Sequence, residues 1–395
     1  MIAVDHAFHP PKRLLNRIGA IALAAAAVVT AGVVLAPDRT WPAVLTIGLF
    51  LTGMGLAGVF FVALQYATGS GWSIVVRRVG EALAALLGTG AVVMVVALFA
   101  APRLYCWWGG AVDGEPLRGF KAAWLSPAFF VVRAIVYFAL WLAFAAAIVR
   151  ESRLQDADAD PAHSRRNVRL SIAFIAVFAF TVWLASSDWI MSLDPDWSST
   201  IFGVYNFAGL FSGGLAALVV FVVWLRRLGP RGVGPLHAVV TQEHLHDLGK
   251  LLFAFSTFWM YIWFSQYMLI WYANIPEEAS YFAVRLHGLW QPLVILDVVL
   301  NWVVPFLALL PRAAKRNPGV LAKVALAVLV GRWLDLYLMV TPHFQPGAPV
   351  FGVWELAAAV LAASVAVLAV LRTLTRAPMV PIGDPLLAES LRHHQ

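Results

Sequence analysis

Residues 45–64, LTIGLFLTGMGLAGVFFVAL, form an apolar run without a charged side chain. A helix of about twenty such residues is about 30 Å long, which matches the hydrocarbon core of a bilayer. The whole chain has this character, because 61% of its 395 residues are hydrophobic and only 12% are charged. A soluble domain carries about a quarter charged residues. The sequence therefore predicts an integral membrane protein and excludes a soluble globular enzyme, a disordered protein and a coiled coil.

Proline, glycine and charged residues divide the chain into ten apolar runs, each of about twenty residues. We predict an all-α integral membrane protein in which ten transmembrane helices form one polytopic domain over residues 1–395. A β-barrel, the other fold that satisfies its backbone in lipid, is excluded because the runs lack period-two alternation. The predicted spans are 18–36, 41–67, 80–101, 127–149, 170–192, 200–225, 251–273, 292–310, 320–340 and 350–371.

The basic residues predict the orientation of these spans. Most of the 28 Lys and Arg residues fall in one alternate set of connections. Because cytoplasmic loops are enriched in Lys and Arg, both termini are expected in the cytoplasm, with residues 372–395 as a cytoplasmic tail. A cleaved signal peptide is a rival interpretation of the first run, since basic residues precede it and residues 34–36 loosely fit a cleavage site.

Two groups of helices share a pattern that suggests an internal repeat. Asp188 in the fifth span and Asp335 in the ninth are each followed seven residues later by a proline. The fourth and eighth spans both open with a proline and carry an ionisable residue about six positions later, Arg133 and Asp297. Coincidence explains so faint a pattern as well as duplication does. The repeat predicts two four-helix bundles, 41–192 and 200–340, with the first and tenth spans outside them.

Apart from Glu81 and Lys323 near the cytoplasmic ends, six charged side chains fall inside the predicted spans, all on the periplasmic half. A charge in hydrocarbon costs several kcal/mol unless it is paired or hydrated, so such residues mark function by default. Four carboxyl groups and two guanidinium groups leave two acids in excess, and a carboxyl that exchanges its proton suits a proton pathway. The rival interpretation is a static set of ion pairs, of which Arg332 and Asp335 are an obvious local pair. The six are Arg133, Asp188, Asp297, Arg332, Asp335 and Glu355.

Three further features complete the set of proton-path candidates. Asn301 and Pro305 follow Asp297 at four-residue intervals, and the proline frees the carbonyl of Asn301 and kinks the helix. His287, just before the eighth span, could accept a proton or link the acids to bulk water, although interfacial histidines are more often satisfied by water. Glu81 is the main acidic candidate on the opposite half of the membrane.

The sequence lacks the residues of a redox centre. Its single cysteine, Cys106, excludes a disulfide within the chain, a cysteine-ligated iron–sulfur cluster and a CxxCH haem site. None of the ten histidines lies in the middle of a span, so no haem, no metal and no other cofactor is expected in this chain. An aromatic stripe on the seventh span could stack on a quinone ring, although packing against a helix or a partner subunit is the commoner role. The stripe is Trp259, Trp263, Tyr267 and Trp271.

Five segments resemble one family of respiratory membrane proteins. They are QYATGSGWSIVVRR (65–78), SSDWIMSLDPDWSSTIFGVYNFAG (186–209), LLFAFSTFWMYIWFSQYMLIWYANIPEE (251–278), VVPFLALLPRAAKRNP (303–318) and GRWLDLYLMVTP (331–342). Together they are similar to the F subunit of alternative complex III, within the NrfD-like, polysulfide-reductase membrane family. The resemblance covers the second to the tenth span.

The resemblance implies a complex of the bacterial cytoplasmic membrane that oxidises a quinol and passes electrons to cytochrome c or an oxidase. The implied partners are a second NrfD-like membrane subunit, an iron–sulfur subunit, multihaem and monohaem cytochrome c subunits, and a terminal oxidase. Haem c and iron–sulfur clusters would sit on those partners, and this chain would be a scaffold with a proton path and a quinone or quinol contact. No nucleic-acid partner is expected. The alternatives are a stand-alone ion-coupled transporter and a purely structural membrane anchor.

Overall fold

Helices account for nearly all of the regular structure of the chain, as the apolar runs predict. The computed structural model describes residues 8–229 and 232–394. The α-helices are α1 (Lys12–Leu35), α2 (Pro37–Ala67), α3 (Ile74–Ala84), α4 (Leu86–Leu98), α5 (Ala101–Leu104), α6 (Gly119–Trp124), α7 (Pro127–Asp158), α8 (Pro161–Trp189), α9 (Phe202–Arg227), α10 (Gln242–Ala273), α11 (Pro276–Arg285), α12 (Gln291–Val298), α13 (Val304–Leu309), α14 (Arg312–Arg316), α15 (Pro318–Phe344), α16 (Val353–Leu374) and α17 (Leu387–Leu391).

Nine helical stretches within the described ranges are long and apolar enough to cross a membrane. This finding confirms the prediction of a multi-pass all-α membrane protein. The remaining predicted run, 251–273, lies in α10, where Trp, Tyr, Ser and Gln residues reduce the mean hydropathy. The nine stretches are Lys12–Leu35, Pro37–Ala67, Ile74–Leu98, Pro127–Asp158, Pro161–Leu193, Phe202–Arg227, Gly288–Leu309, Pro318–Phe344 and Val353–Leu374.

Two helices, α2 and α9, lie at the centre of the protein and pack against each other. In the most apolar 18-residue stretch of each helix, 83% of the residues of α2 and 89% of those of α9 are buried. The corresponding share for α1, at the periphery, is 22%. The helix α2 also packs against α4, α8 and α15, and α9 packs against α10 and α15. The predicted bundles 41–192 and 200–340 are therefore in contact through their first helices.

Glycines allow the backbone of α2 to approach its neighbours closely. A Cβ atom on Gly55 would lie 2.8 Å from the Cα of Leu87, and one on Gly58 would lie 2.7 Å from the backbone nitrogen of Ala84. Small residues at such crossings let membrane helices gain van der Waals contact where water exclusion provides no driving force. The glycines in the 45–64 run thus determine how closely α3 and α4 pack on α2.

One end of the helix bundle carries a small β-hairpin between α5 and α6. Its strands, β1 (Ala111–Val112) and β2 (Glu115–Pro116), pair antiparallel. The intervening Asp113 and Gly114 both have positive φ angles, as a two-residue type I′ turn requires. We call this end of the protein the hairpin end, and the opposite end, where residues 376–394 lie, the tail end.

The C-terminal segment folds back onto the helices at the tail end. The carboxylate of Asp384 forms a buried ion pair with Arg77 at 2.6 Å, and the hydroxyl of Ser390 donates to the carbonyl of Trp72 at 2.8 Å. The Nε2 of His244 lies 3.1 Å from the carbonyl oxygen of Ser390. Burial and the neighbouring histidine lower the pKa of His244 to about 4, so this ring is neutral at pH 7 and donates to that carbonyl. The predicted tail is therefore a packed part of the fold.

Candidate functional site

Two buried acids, Asp297 and Asp335, meet between α12 and α15, and we call them the acid pair. Each residue is 1% exposed. An oxygen of Asp335 lies 2.5 Å from the Nη1 of Arg332, one turn earlier on α15, and the other accepts a hydrogen bond from the hydroxyl of Tyr205. Asp297 accepts from the side-chain amide of Asn301 at 2.7 Å. Both acids line one small cavity of about 20 Å³, the acid cavity, which is large enough for a water molecule.

The two carboxyl groups of the acid pair outnumber the cations beside them. Across residues 8–229 and 232–394, no Lys, Arg or His nitrogen comes within 4.0 Å of the Asp297 carboxyl group, and Arg332 forms its ion pair with Asp335. Two carboxyl groups therefore share one guanidinium group inside the apolar core. This arrangement leaves either one net negative charge or one exchangeable proton, and the proton removes the cost of a buried unpaired charge.

A π-helical turn, Val299–Val303, begins two residues after Asp297. Pro305 has no backbone N–H, so it cannot bond the carbonyl one turn earlier, and the helix widens there. The irregularity that the sequence predicts near Asn301 and Pro305 is this π-helical turn. A Cβ atom on Gly331 would lie 2.7 Å from the side-chain nitrogen of Asn301, so this glycine lets the amide that bonds Asp297 pack directly on α15.

Two glycines of α9 make room for the Arg332 side chain. A Cβ atom on Gly213 would lie 2.9 Å from the Cγ of Arg332, and one on Gly209 would lie 3.0 Å from a carboxylate oxygen of Asp335. The sequence shows these glycines but not what they face, because the contact joins helices that are far apart in the chain. The local pairing of Arg332 with Asp335, in contrast, is confirmed as predicted from their spacing.

The second buried pair is Arg133 and Asp188, and each oxygen of its carboxylate accepts two hydrogen bonds. One oxygen of Asp188 accepts from the Nη2 of Arg133 at 2.9 Å and from the indole of Trp124 at 3.1 Å. The other oxygen accepts from the Nε of Arg133 at 2.8 Å and from the hydroxyl of Tyr137 at 2.9 Å. With four donors on one carboxylate, this pair matches the rival interpretation of a static ion pair that orients α7 and α8.

Glu355 lies at the beginning of α16 and is separate from both buried pairs. Its carboxylate accepts from the backbone N–H of Gly352 at 2.8 Å and from two nitrogens of Arg39, at 3.0 and 2.8 Å. The Arg39 side chain is 31% exposed, so this pair lies at the surface of the hairpin end. An acid here also stabilises the N-terminal end of the helix. Glu355 therefore caps a helix.

The six predicted intramembrane charges thus do not form a shared cluster. They fall into the acid pair with Arg332, the Arg133–Asp188 pair and the Glu355 cap. Because Arg39 from a predicted outer loop neutralises Glu355, the predicted surplus of two acids falls to one. That remaining acid is Asp297.

Glu81 is placed at the tail end, in an ion-pair network that the sequence does not predict. Its carboxylate lies 2.5 Å from the Nη1 of Arg78 and accepts from the hydroxyl of Ser152 at 2.6 Å. Arg78 also pairs with Asp156. Arg77 and Arg78, predicted as loop residues, are only 2% and 3% exposed. Glu81 is therefore a paired residue of the opposite end.

His287 does not reach the acid pair. It is exposed, and its Nδ1 lies 2.9 Å from the carbonyl oxygen of Ala283 in the preceding turn. A different histidine, His343 at the end of α15, lines a cavity of about 170 Å³ at the hairpin end together with Asp194 and Arg285. We call this the hairpin-end cavity. His343 and Asp194 fall within or beside the segments 331–342 and 186–209, but nothing in their spacing indicates that they face one cavity.

Arg285 forms part of the wall between the two cavities. Its Nε and Nη2 donate to the carbonyls of Leu338 and Met339 on α15, at 2.8 and 3.1 Å. Its Nη1 donates to the carbonyl of Tyr281 at 2.8 Å, and the guanidinium carbon lies 3.5 Å from the centroid of that ring. Tyr281, Arg285 and Met339 line both the hairpin-end cavity and the acid cavity. These three residues therefore form a wall that the two cavities share.

The aromatic stripe of α10 divides into a packed part and an exposed part. Trp259 is 1% exposed, and the rings of Trp263 and Tyr267 stack at 5.9 Å while both contact Phe282. Trp271 is 67% exposed. Most of the stripe thus packs inside the protein, and Trp263 also lines the acid cavity.

Comparison of the chain with protein-family models and with curated proteins gave no match. In the part of the chain that the structure describes, no group of three or more His, Cys, Asp or Glu side chains is arranged to hold a metal ion.

Proposed function

We propose that this chain is a non-haem membrane subunit of a respiratory quinol:electron-acceptor oxidoreductase, similar to the F subunit of alternative complex III. The acid pair carries the proposal, because Arg332 forms its ion pair with Asp335 and leaves the neighbouring Asp297 without a cation of its own in an apolar interior. Quinol oxidation releases protons, and a buried carboxyl group that exchanges a proton can receive them. The five quoted segments support the assignment to this class of complex.

In this proposal the chain crosses the bacterial cytoplasmic membrane ten times and both of its termini are cytoplasmic. The span that completes the ten is the seventh along the chain, in α10, a helix of 32 residues that packs along α9. The residues 41–192 and 200–340 form the two bundles, and the tail end faces the cytoplasm because it carries most of the Lys and Arg residues. Haem c and iron–sulfur clusters belong to partner subunits.

Copurification tests the proposed complex. The chain is tagged, extracted from its native membrane in mild detergent and analysed by absorption spectroscopy and mass spectrometry. We expect c-type haem and an iron–sulfur subunit to purify with it. A chain that purifies alone and moves a solute across vesicle membranes would instead be a transporter.

Cys106 tests the proposed orientation. This cysteine lies at the hairpin end and is exposed, so a membrane-impermeant maleimide is expected to label it in intact spheroplasts. Partial burial is the main cause that raises the pKa of its thiol. Because the thiolate is the reactive form, labelling is expected to accelerate as the pH of the buffer rises.

A second cysteine variant provides the control for orientation. In a Cys106→Ser background, Ala157→Cys places the thiol at an exposed position of the tail end. This thiol should be labelled only after the membrane is permeabilised. The reverse pattern in the two variants would contradict cytoplasmic termini.

Asp297→Asn tests the role of the acid pair. In the assembled complex we expect quinol turnover and its linked proton release to fall by about tenfold or more, because the amide cannot exchange a proton. Glu355→Gln is the matched control, since it neutralises an acid that is already paired with Arg39, and it should leave turnover unchanged. Unaltered turnover in an intact Asp297→Asn complex would favour a purely structural anchor.

A further inference from the structure

We propose that the acid pair takes up and releases its proton only at the hairpin end, through the hairpin-end cavity. The proposal rests on the proton-exchanging role given to the acid pair in the proposed function, and it adds a route and a direction. The route begins at Asp194 and His343, passes the shared wall at Tyr281 and ends at the acid pair.

The mouth of the route is the hairpin-end cavity. Its volume of about 170 Å³ holds several water molecules, since each occupies about 30 Å³ in the liquid. Asp194 and His343 line it, together with Arg285. A carboxyl group and an imidazole are both groups that can accept a proton from water in such a cavity and return it.

The wall between the two cavities carries one hydroxyl group that can pass a proton onward, that of Tyr281, beside the side chains of Arg285 and Met339. Tyr281 lines both cavities and interacts electrostatically with both members of the acid pair. Behind it, the hydroxyl of Tyr205 donates directly to Asp335. The acid cavity has room for one water molecule between these groups. The proposed route therefore runs from the mouth past the phenols of Tyr281 and Tyr205, with a water molecule in the acid cavity, to the carboxyl groups of the acid pair.

A layer of apolar side chains separates the acid pair from the tail end. On α2, residues 53–64 contain no polar side chain, which amounts to about 18 Å of helix. The ring of Phe60 in this stretch lies 4.8 Å from that of Phe211 and 5.1 Å from that of Phe178. A charge in such a layer costs several kcal/mol. Glu81, beyond the layer, already pairs with Arg78.

The acid pair is therefore a one-sided proton site. A proton that reaches it returns to the side from which it came and does not cross the membrane potential. In the proposed orientation this side is the outer face, so the chain takes up and releases protons there without pumping them from the cytoplasm.

Hydrogen exchange of the acid pair tests the route. The full-length chain is placed in lipid nanodiscs and transferred to heavy water, and infrared spectroscopy follows the carbonyl stretch of the protonated carboxyl groups. Asp297→Asn assigns the band. We expect the double variant Asp194→Asn and His343→Gln to slow exchange of this band by about tenfold or more. His287→Gln removes a histidine of the same end that lines neither cavity, and it should leave the rate unchanged.

A separate variant tests whether the proton also exchanges at the tail end. Glu81→Gln changes the acid of the tail-end network and is expected to leave the exchange rate unchanged. A slower rate in Glu81→Gln, or an unaltered rate in the Asp194 and His343 double variant, would overturn the proposed route while the acid pair still exchanged a proton.

A different result would remove the proton role itself. If the assigned band is absent from the unmodified chain, the acid pair holds no exchangeable proton and this part of the proposed function fails. Isotope-labelled aspartate assigns the aspartic acid band in the unmodified chain, so the outcome does not depend on the folding of Asp297→Asn.

Discussion

Replacement of Asp188 by leucine is expected to lower the free energy of unfolding by about 3–5 kcal/mol, the range for breaking a buried ion pair. The carboxylate accepts four hydrogen bonds from Arg133, Trp124 and Tyr137. Leucine would leave the Arg133 guanidinium without a counter-charge between α7 and α8, where water cannot replace it. Denaturant titration of the purified chain in mixed micelles measures the loss.

Two further variants serve as controls for the Asp188→Leu prediction. The double variant Arg133→Leu with Asp188→Leu should recover much of the lost stability, because it removes both charges together. Arg39→Ala, which breaks the partly exposed pair with Glu355, should cost no more than about 1 kcal/mol. If Asp188→Leu alone were as mild as Arg39→Ala, the ion pair would not support the packing of these helices.

Gly55→Ala is expected to destabilise the chain by about 1–3 kcal/mol, the usual cost of overpacking a core. The added methyl group would lie 2.8 Å from the Cα of Leu87 and closer still to its backbone nitrogen. Backbone atoms cannot rotate away as a flexible side chain can, so α2 and α4 must move apart along their shared face. Thermal unfolding of the chain in detergent measures the effect.

Gly53→Ala is the matched control, two residues away on the same helix. Its methyl group would lie 3.4 Å from the Cβ of Leu210, which is an ordinary van der Waals contact. Because alanine is the better helix former by about 0.5–1 kcal/mol, this variant should be neutral or slightly more stable. Equal losses in Gly53→Ala and Gly55→Ala would show that helix propensity, and not the close approach to Leu87, determines the result.

The contacts that sequence reasoning predicted correctly are those within one helix. Arg332 pairs with Asp335, and Asn301 lies on the face of Asp297, because side chains three or four residues apart are neighbours on a helix. The disturbance of the helix near Pro305 was predictable for the same reason, since the missing N–H is a local property. The spacing of these residues was sufficient evidence in each case.

The contacts that sequence reasoning missed join distant parts of the chain. Glu355 is neutralised by Arg39, which lies 316 positions away, so it does not add to the excess of buried acids as the sequence had indicated. His343 lines the hairpin-end cavity where His287 was the candidate, because only the packing of α11 against α15 determines which histidine faces inward. The same limit applies to Arg77, whose partner Asp384 belongs to the folded C-terminal segment.

The 45–64 run and its counterparts determine by themselves that this chain is a helical membrane protein. A bilayer accepts only segments that are apolar over its thickness and that bond their own backbone groups. The positions of the charges within those segments are also visible in the sequence. Only the tertiary structure decides which charges meet, because pairing across helices depends on crossing angles and on glycines such as Gly209 and Gly331. Of the four acids that the sequence places within the spans on the periplasmic half, it leaves only Asp297 without an ion pair, which is why the proposed chemistry centres on that residue.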